Sequence, residues 1–197
     1  MEWLRRTTCV MLVSLFAVTV LHAGGDQAPT GFRADYLTQI DAVESQIVSL
    51  EQAVPQEKFT WRPADGVRSV SEVYLHIAGS GYLLLSLPGA EFEPPKEANY
   101  TRDSKKWETA TTNKDEIMKI LLASFDHVRS TVAKISDGNL EKRVNFFGNQ
   151  MTLRGLLMNV LNHYHEHLGQ SVAYARMNGV VPPWTAAAEA KAREKAK

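Results

Sequence analysis

Cysteine is almost missing from this chain: the single one, Cys9, lies in an apolar stretch near the amino terminus. If that stretch is removed on export, the mature protein has no structural disulfide, no thiol nucleophile and no thiolate metal site. A charge surplus is missing too. Twenty-two basic residues balance twenty-two acidic ones, so no basic excess points to a nucleic-acid partner. Long apolar runs are confined to residues 8–21, TCVMLVSLFAVTVL, behind Arg5 and Arg6. That run is short for a membrane span and has the size of a secretory h-region, so residues 1–23 are expected to be a signal peptide cut after Ala23. Leu21, three residues before the cut, is larger than the preferred alanine, which keeps an uncleaved anchor as the alternative. The expected destination is periplasmic or extracellular, and no stable membrane insertion is expected after cleavage.

Strand patterns are scarce, and a helical period fills most of the rest. Tyr36, Ile40, Val43, Ile47, Leu50 and Val54 recur at spacings of three and four, which predicts a helix over 32–54 closed by Pro55. FTWRPADGVR reads as a loop. Ser69 with Glu72 three residues on is a capping-box pattern and opens a second helix that runs to about Leu87, before Pro88-Gly89. Residues 88–112 read as irregular, with one short helix near Ser104 to Thr109. Asn113 and Glu116 start a third long helix carrying Ile117, Leu121, Phe125, Val128, Val132 and Ile135 to the turn at Asp137-Gly138. A short extended piece is expected within 143–150, ahead of Gly148-Asn149. Thr152 then caps a fourth helix over 153–178, stopped by Gly179. Four long helices without strong strands predict an all-α four-helix bundle occupying residues 24–184. The charged tail, residues 185–197, is helix-prone but has no apolar face, and is expected to be solvated and frayed.

The chemistry lies in histidines. His163 and His167 are four apart, about 40° around a helix axis, so both imidazoles point the same way. On a helical wheel they share a side with Leu156, Val160, Gln170 and Tyr174, while Asn162 and Glu166 turn toward the other. His76 lies on the second amphipathic segment, with Glu72 one turn before it as a candidate fourth ligand or hydrogen-bond partner. Three such imidazoles can bind one divalent ion and leave a coordination position open. Zinc is the default, with nickel or iron as alternatives. His165 points about 160° away from His167, and His127 and His22 belong to no constellation. Apart from Glu72, only Glu166 and Tyr164 stand out as acid or base candidates.

Trp61-Arg62-Pro63 with GVRSVSEVYLHIA, and His163-x-x-x-His167-Leu168-Gly169-Gln170 with SVAYARMNGVVPPW, resemble the DinB-like family of metal-binding four-helix bundles over residues 32–184. The resemblance implies a long crossover between the second and third helices and a metal held by His76, His163 and His167. It also implies that a second copy of the chain is a candidate partner, since members often dimerise, and some relatives are thiol-dependent transferases or isomerases. His163-x-x-Glu166-His167 also matches the inverted zinc-protease pattern, with Glu166 as base. The expected function is a metal-dependent hydrolase or transferase acting on an unidentified small molecule. A non-catalytic or stress-associated metal-binding bundle is the alternative, and a metalloprotease the third.

Overall fold

Helix starts follow their caps. Ser69 Oγ accepts from the Glu72 amide while Glu72 Oε2 accepts from the Ser69 amide at 2.7 Å, closing the capping box and opening the second helix. Asn113 and Thr152 cap the later helices through bonds from the amides of Glu116 and Gly155. The structure, a computed structural model, describes residues 28–196. The expected signal peptide of residues 1–23, and His22 with it, lies outside the described residues.

Four long helices form: α1 (Gly31–Ala53), α2 (Val70–Leu85), α4 (Lys114–Lys134) and α5 (Leu153–Met177), with a short α3 (Ser104–Glu108) between the second and third of them. The expected all-α bundle with a long crossover is therefore present, and helix ends differ from the expectation by one or two residues. Such differences are what a mobile last turn produces. The stripe of α1 is buried at Tyr36, Ile40, Val43, Ile47 and Leu50. α2 is buried on nearly every side, because it packs against α4, α5 and α3 at once. Glycine makes one of these approaches possible. A Cβ on Gly79 would meet Trp107 Nε1 at 2.5 Å, and in its absence the indole donates to the Leu75 carbonyl at 2.6 Å, which pins the crossover onto α2.

The short extended piece expected ahead of Gly148-Asn149 is β1 (Arg143–Phe146), and it pairs with a second strand the sequence did not announce, β2 (Asn149–Thr152), with Phe146 opposite Asn149. The two-residue turn of this hairpin is Phe147-Gly148, both at positive φ, and the second strand runs straight into the cap of α5. The charged tail falls largely within α6 (Pro183–Lys195), which has Pro183 in its first turn and no buried residue. Among the described residues no helix is long and apolar enough to cross a membrane.

Candidate metal centre

α2 and α5 run side by side and bring His76 next to His163 and His167, the latter pair one turn apart. Ring centroids are 5.0 Å apart for His76 and His163, 4.6 Å for His76 and His167, and 4.4 Å within α5. One ring nitrogen from each residue lies within 4.8 Å of the other two. All three expected ligands thus converge, and the donor set is one that can hold a metal ion.

The outward nitrogens determine what faces inward. His76 Nδ1 lies 2.7 Å from Glu108 Oε1, and Arg68 grips the same carboxylate through Nε at 2.7 Å and Nη2 at 3.0 Å. Burial alone would raise the Glu108 carboxyl, but the hydrogen bonds from His76 and Arg68 outweigh it and hold it at about 2. An ionised carboxylate only accepts, so His76 Nδ1 carries a proton and Nε2 is the nitrogen turned to the cluster. His167 Nδ1 lies 2.8 Å from Gln170 Oε1, whose amide nitrogen donates to the Tyr174 hydroxyl at 3.0 Å. With the amide oxygen on the imidazole side, His167 Nδ1 is the donor and Nε2 is the nitrogen turned to the cluster. His163 Nδ1 is 3.8 Å from Glu166 Oε2. With their Nδ1 atoms turned to carboxylates, His163 Nε2 and His76 Nε2 face each other at 3.1 Å. Two such nitrogens at that distance need a proton or a cation between them.

Electrostatics keep the α5 pair neutral. Burial, followed by the neighbouring His167 and His76, pushes His163 down to about 4. Burial also lowers His167, against the opposing hydrogen bond from Gln170. Neutral imidazole is the form that ligates metal.

Other expected residues lie elsewhere. Glu72 spends both oxygens, one on the Ser69 amide and one on Arg62 at 3.0 Å, so it neither approaches as a fourth ligand nor supports His76. Glu108 takes that supporting place. Nothing in the local pattern marks it, because it comes from the crossover, 32 positions after His76; Gln170, three positions after His167, lay within the quoted motif. Tyr164 is not beside the cluster: it is fully buried against Phe125, and burial pushes its hydroxyl far up. His165 bonds the Leu161 carbonyl, outside the cluster. His127 sits in the core against Tyr82, also away from the cluster. Glu166 approaches His163 on the Nδ1 side, away from the facing Nε2 atoms, whereas a protease base is needed on the ion side.

The cluster opens onto a cavity of about 430 Å³. His76, Leu83 and Leu84 line it from α2, and Asn159, Asn162, His163 and Glu166 from α5, so Asn162 and Glu166 flank the site and do not face away from it.

No curated protein sequence matches the chain significantly. Solved structures do. A DinB-like protein from Bacillus cereus ATCC 10987 aligns over 81% of this chain and 98% of its own, at 22% identity and a TM-score of 0.54. A conserved protein from Enterococcus faecalis aligns over 75% and 97%, at 14% identity and a TM-score of 0.62. A DinB-like protein from Bacillus subtilis aligns over 75% and 93%, at 18% identity and a TM-score of 0.57. These likenesses establish a shared fold. The DinB superfamily itself matches residues 39–171, more than half of the sequence, a span that contains His76, Glu108, His163 and His167; the chain belongs to the DinB superfamily.

Proposed function

We propose that His76, His163 and His167 hold one divalent ion, with zinc as the default and nickel or iron as alternatives, and that the protein is a metal-dependent hydrolase or transferase. The observation that carries this is the pair of Nε2 atoms facing each other at 3.1 Å, with His76 Nδ1 and His167 Nδ1 already engaged by Glu108 and Gln170. When bound, such an ion supplies Lewis acidity and makes water acidic enough to act as a nucleophile near neutral pH. The protein's own residues do the rest. Glu108, held by Arg68, keeps His76 Nε2 turned inward, and Gln170 does the same for His167. Glu72 is committed elsewhere, so among the described residues no fourth side chain joins the three imidazoles, and the adjoining cavity gives a small molecule access. Asn159, Asn162 and Glu166 stand on its flank as polar contacts.

The test compares zinc-loaded and chelator-treated protein on panels of small esters, amides and group-transfer substrates. Turnover by the loaded form alone, lost in His167→Ala, supports the proposal. Tight metal binding with a large rise in melting temperature and no turnover on any panel would assign the ion to stability instead. Export belongs to the same proposal: the mature chain should begin near Gly24, which mass spectrometry of the native protein reads directly.

A further inference from the structure

The cavity beside the histidines has two kinds of wall. Residues at helical spacing on α2 and α5 form its long sides. The crossover covers one flank with Tyr100 and Trp107, packed edge to face at 5.1 Å, and the hairpin tip covers another with Phe146 and Phe147, also edge to face at 5.0 Å. The indole N–H is spent on the Leu75 carbonyl, so Trp107 offers the cavity a saturated aromatic surface. From the level of His76 to that of Leu84 is eight residues of α2, roughly 12 Å. The space is therefore long, with the imidazoles at one end and aromatic rings along it.

Phe147 is the unusual member. It occupies the first central position of a two-residue hairpin turn at φ +50°, where asparagine, aspartate or glycine is the comfortable choice. It is also 62% exposed, so packing inside the bundle does not repay the strained backbone. A bulky aromatic held in a left-handed turn at a cavity mouth is the kind of local strain that marks a contact surface. Asparagine would relieve the turn, and the chain carries phenylalanine there.

Resting on the metal reading above, we propose that this cavity takes the aromatic body of an aryl-bearing acyl compound, its carbonyl end at His76 and His163, the two imidazoles that line it, and its ring against Trp107, Phe146 and Phe147. Pockets of this size bury most of a small ligand and select it by a few placed polar groups, here the imidazoles and the α5 amides. Aromatic rings prefer offset or edge-on neighbours, which the two flanking pairs provide.

The experiment uses the zinc-loaded full chain with two hydroxamate probes that share one metal-binding group: acetohydroxamate, and phenylacetohydroxamate, which adds the ring. Calorimetric titration should show the aryl probe binding at least tenfold more tightly. Phe147→Asn should remove most of that gain, leave acetohydroxamate affinity unchanged and keep or raise the melting temperature, since the turn is relieved. Equal affinities for the two probes would overturn the aryl cavity while the metal site stands. So would a gain that survives Phe147→Asn undiminished. Failure of both probes to bind zinc-loaded protein would overturn this proposal and the open coordination position while the ion itself stands, and failure to load zinc, nickel or iron would overturn the metal reading and this proposal together.

Discussion

Two polar groupings are buried among the helices, and they are treated in opposite ways. At the histidine cluster Glu108 and Gln170 engage two of the outward nitrogens, and Arg68 and Tyr174 hold those partners in turn. On α1, Glu51 is 0% exposed and neither of its oxygens has a partner. The nearest cation, Lys114, gives its ammonium to the Gln52 and Val54 carbonyls. Burial raises the Glu51 carboxyl to about 7, with Lys114 opposing and Asp115 adding to the shift. Partnered burial fixes imidazole orientation and keeps lone pairs available; unpartnered burial yields only a carboxyl that resists ionisation. The difference separates a built site from a structural burden within one fold.

The comparison breaks most sharply at His167. His167→Ala removes one of three donors and should abolish tight divalent-metal binding, read by metal titration of the purified variant. Glu51→Gln probes the other side. Its folded carboxyl is raised above the unfolded value near 4.5, so its contribution to stability is full below pH 4.5 and is lost as pH rises through about 7. Relative to Glu51→Gln, the wild type should therefore lose about 3 kcal/mol between pH 4 and pH 8, measured by urea unfolding at a series of pH values. The two proteins should be similar in stability at the acid end and the variant firmer at the alkaline end.

Glu108→Gln sharpens the comparison from within the site. It keeps the shape, removes the carboxylate that sets the His76 tautomer, and should weaken metal affinity on the order of 10- to 100-fold. Glu72→Gln should leave metal affinity unchanged and lower stability by about 1 kcal/mol, through loss of the charged half of the capping box and of the Arg62 pair. Metal titration and thermal unfolding of both variants, run together, separate support of the imidazoles from support of the helix.

Much of this was legible in the residues because it is local. Ser69, Asn113 and Thr152 announced helix starts by cap chemistry, and the stripes on α1 and α4 announced their buried faces. His163 and His167 were paired by helical spacing alone. Glu108 was not legible, since its meeting with His76 depends on how Trp107 docks the crossover against Gly79. Glu72 misled for the converse reason: one turn from His76 is the right spacing, yet the helix cap and Arg62 claim both oxygens. The hairpin was half seen because four-residue strands carry little pattern, and its turn uses phenylalanine where turn chemistry favours asparagine. The helical propensity of the tail was legible from its alanines, lysines and glutamates, and those residues lie in α6.

The central claim is that three imidazoles share one ion, and the most direct test is elemental analysis of untagged protein joined to X-ray absorption at the bound metal's edge. The account predicts one divalent ion per chain, with three nitrogen donors from imidazole at about 2.0–2.1 Å if the ion is zinc, and loss of that signal in His167→Ala. Protein that binds no divalent ion after dialysis against zinc, or an ion retained with an unchanged donor set in His167→Ala, would contradict it.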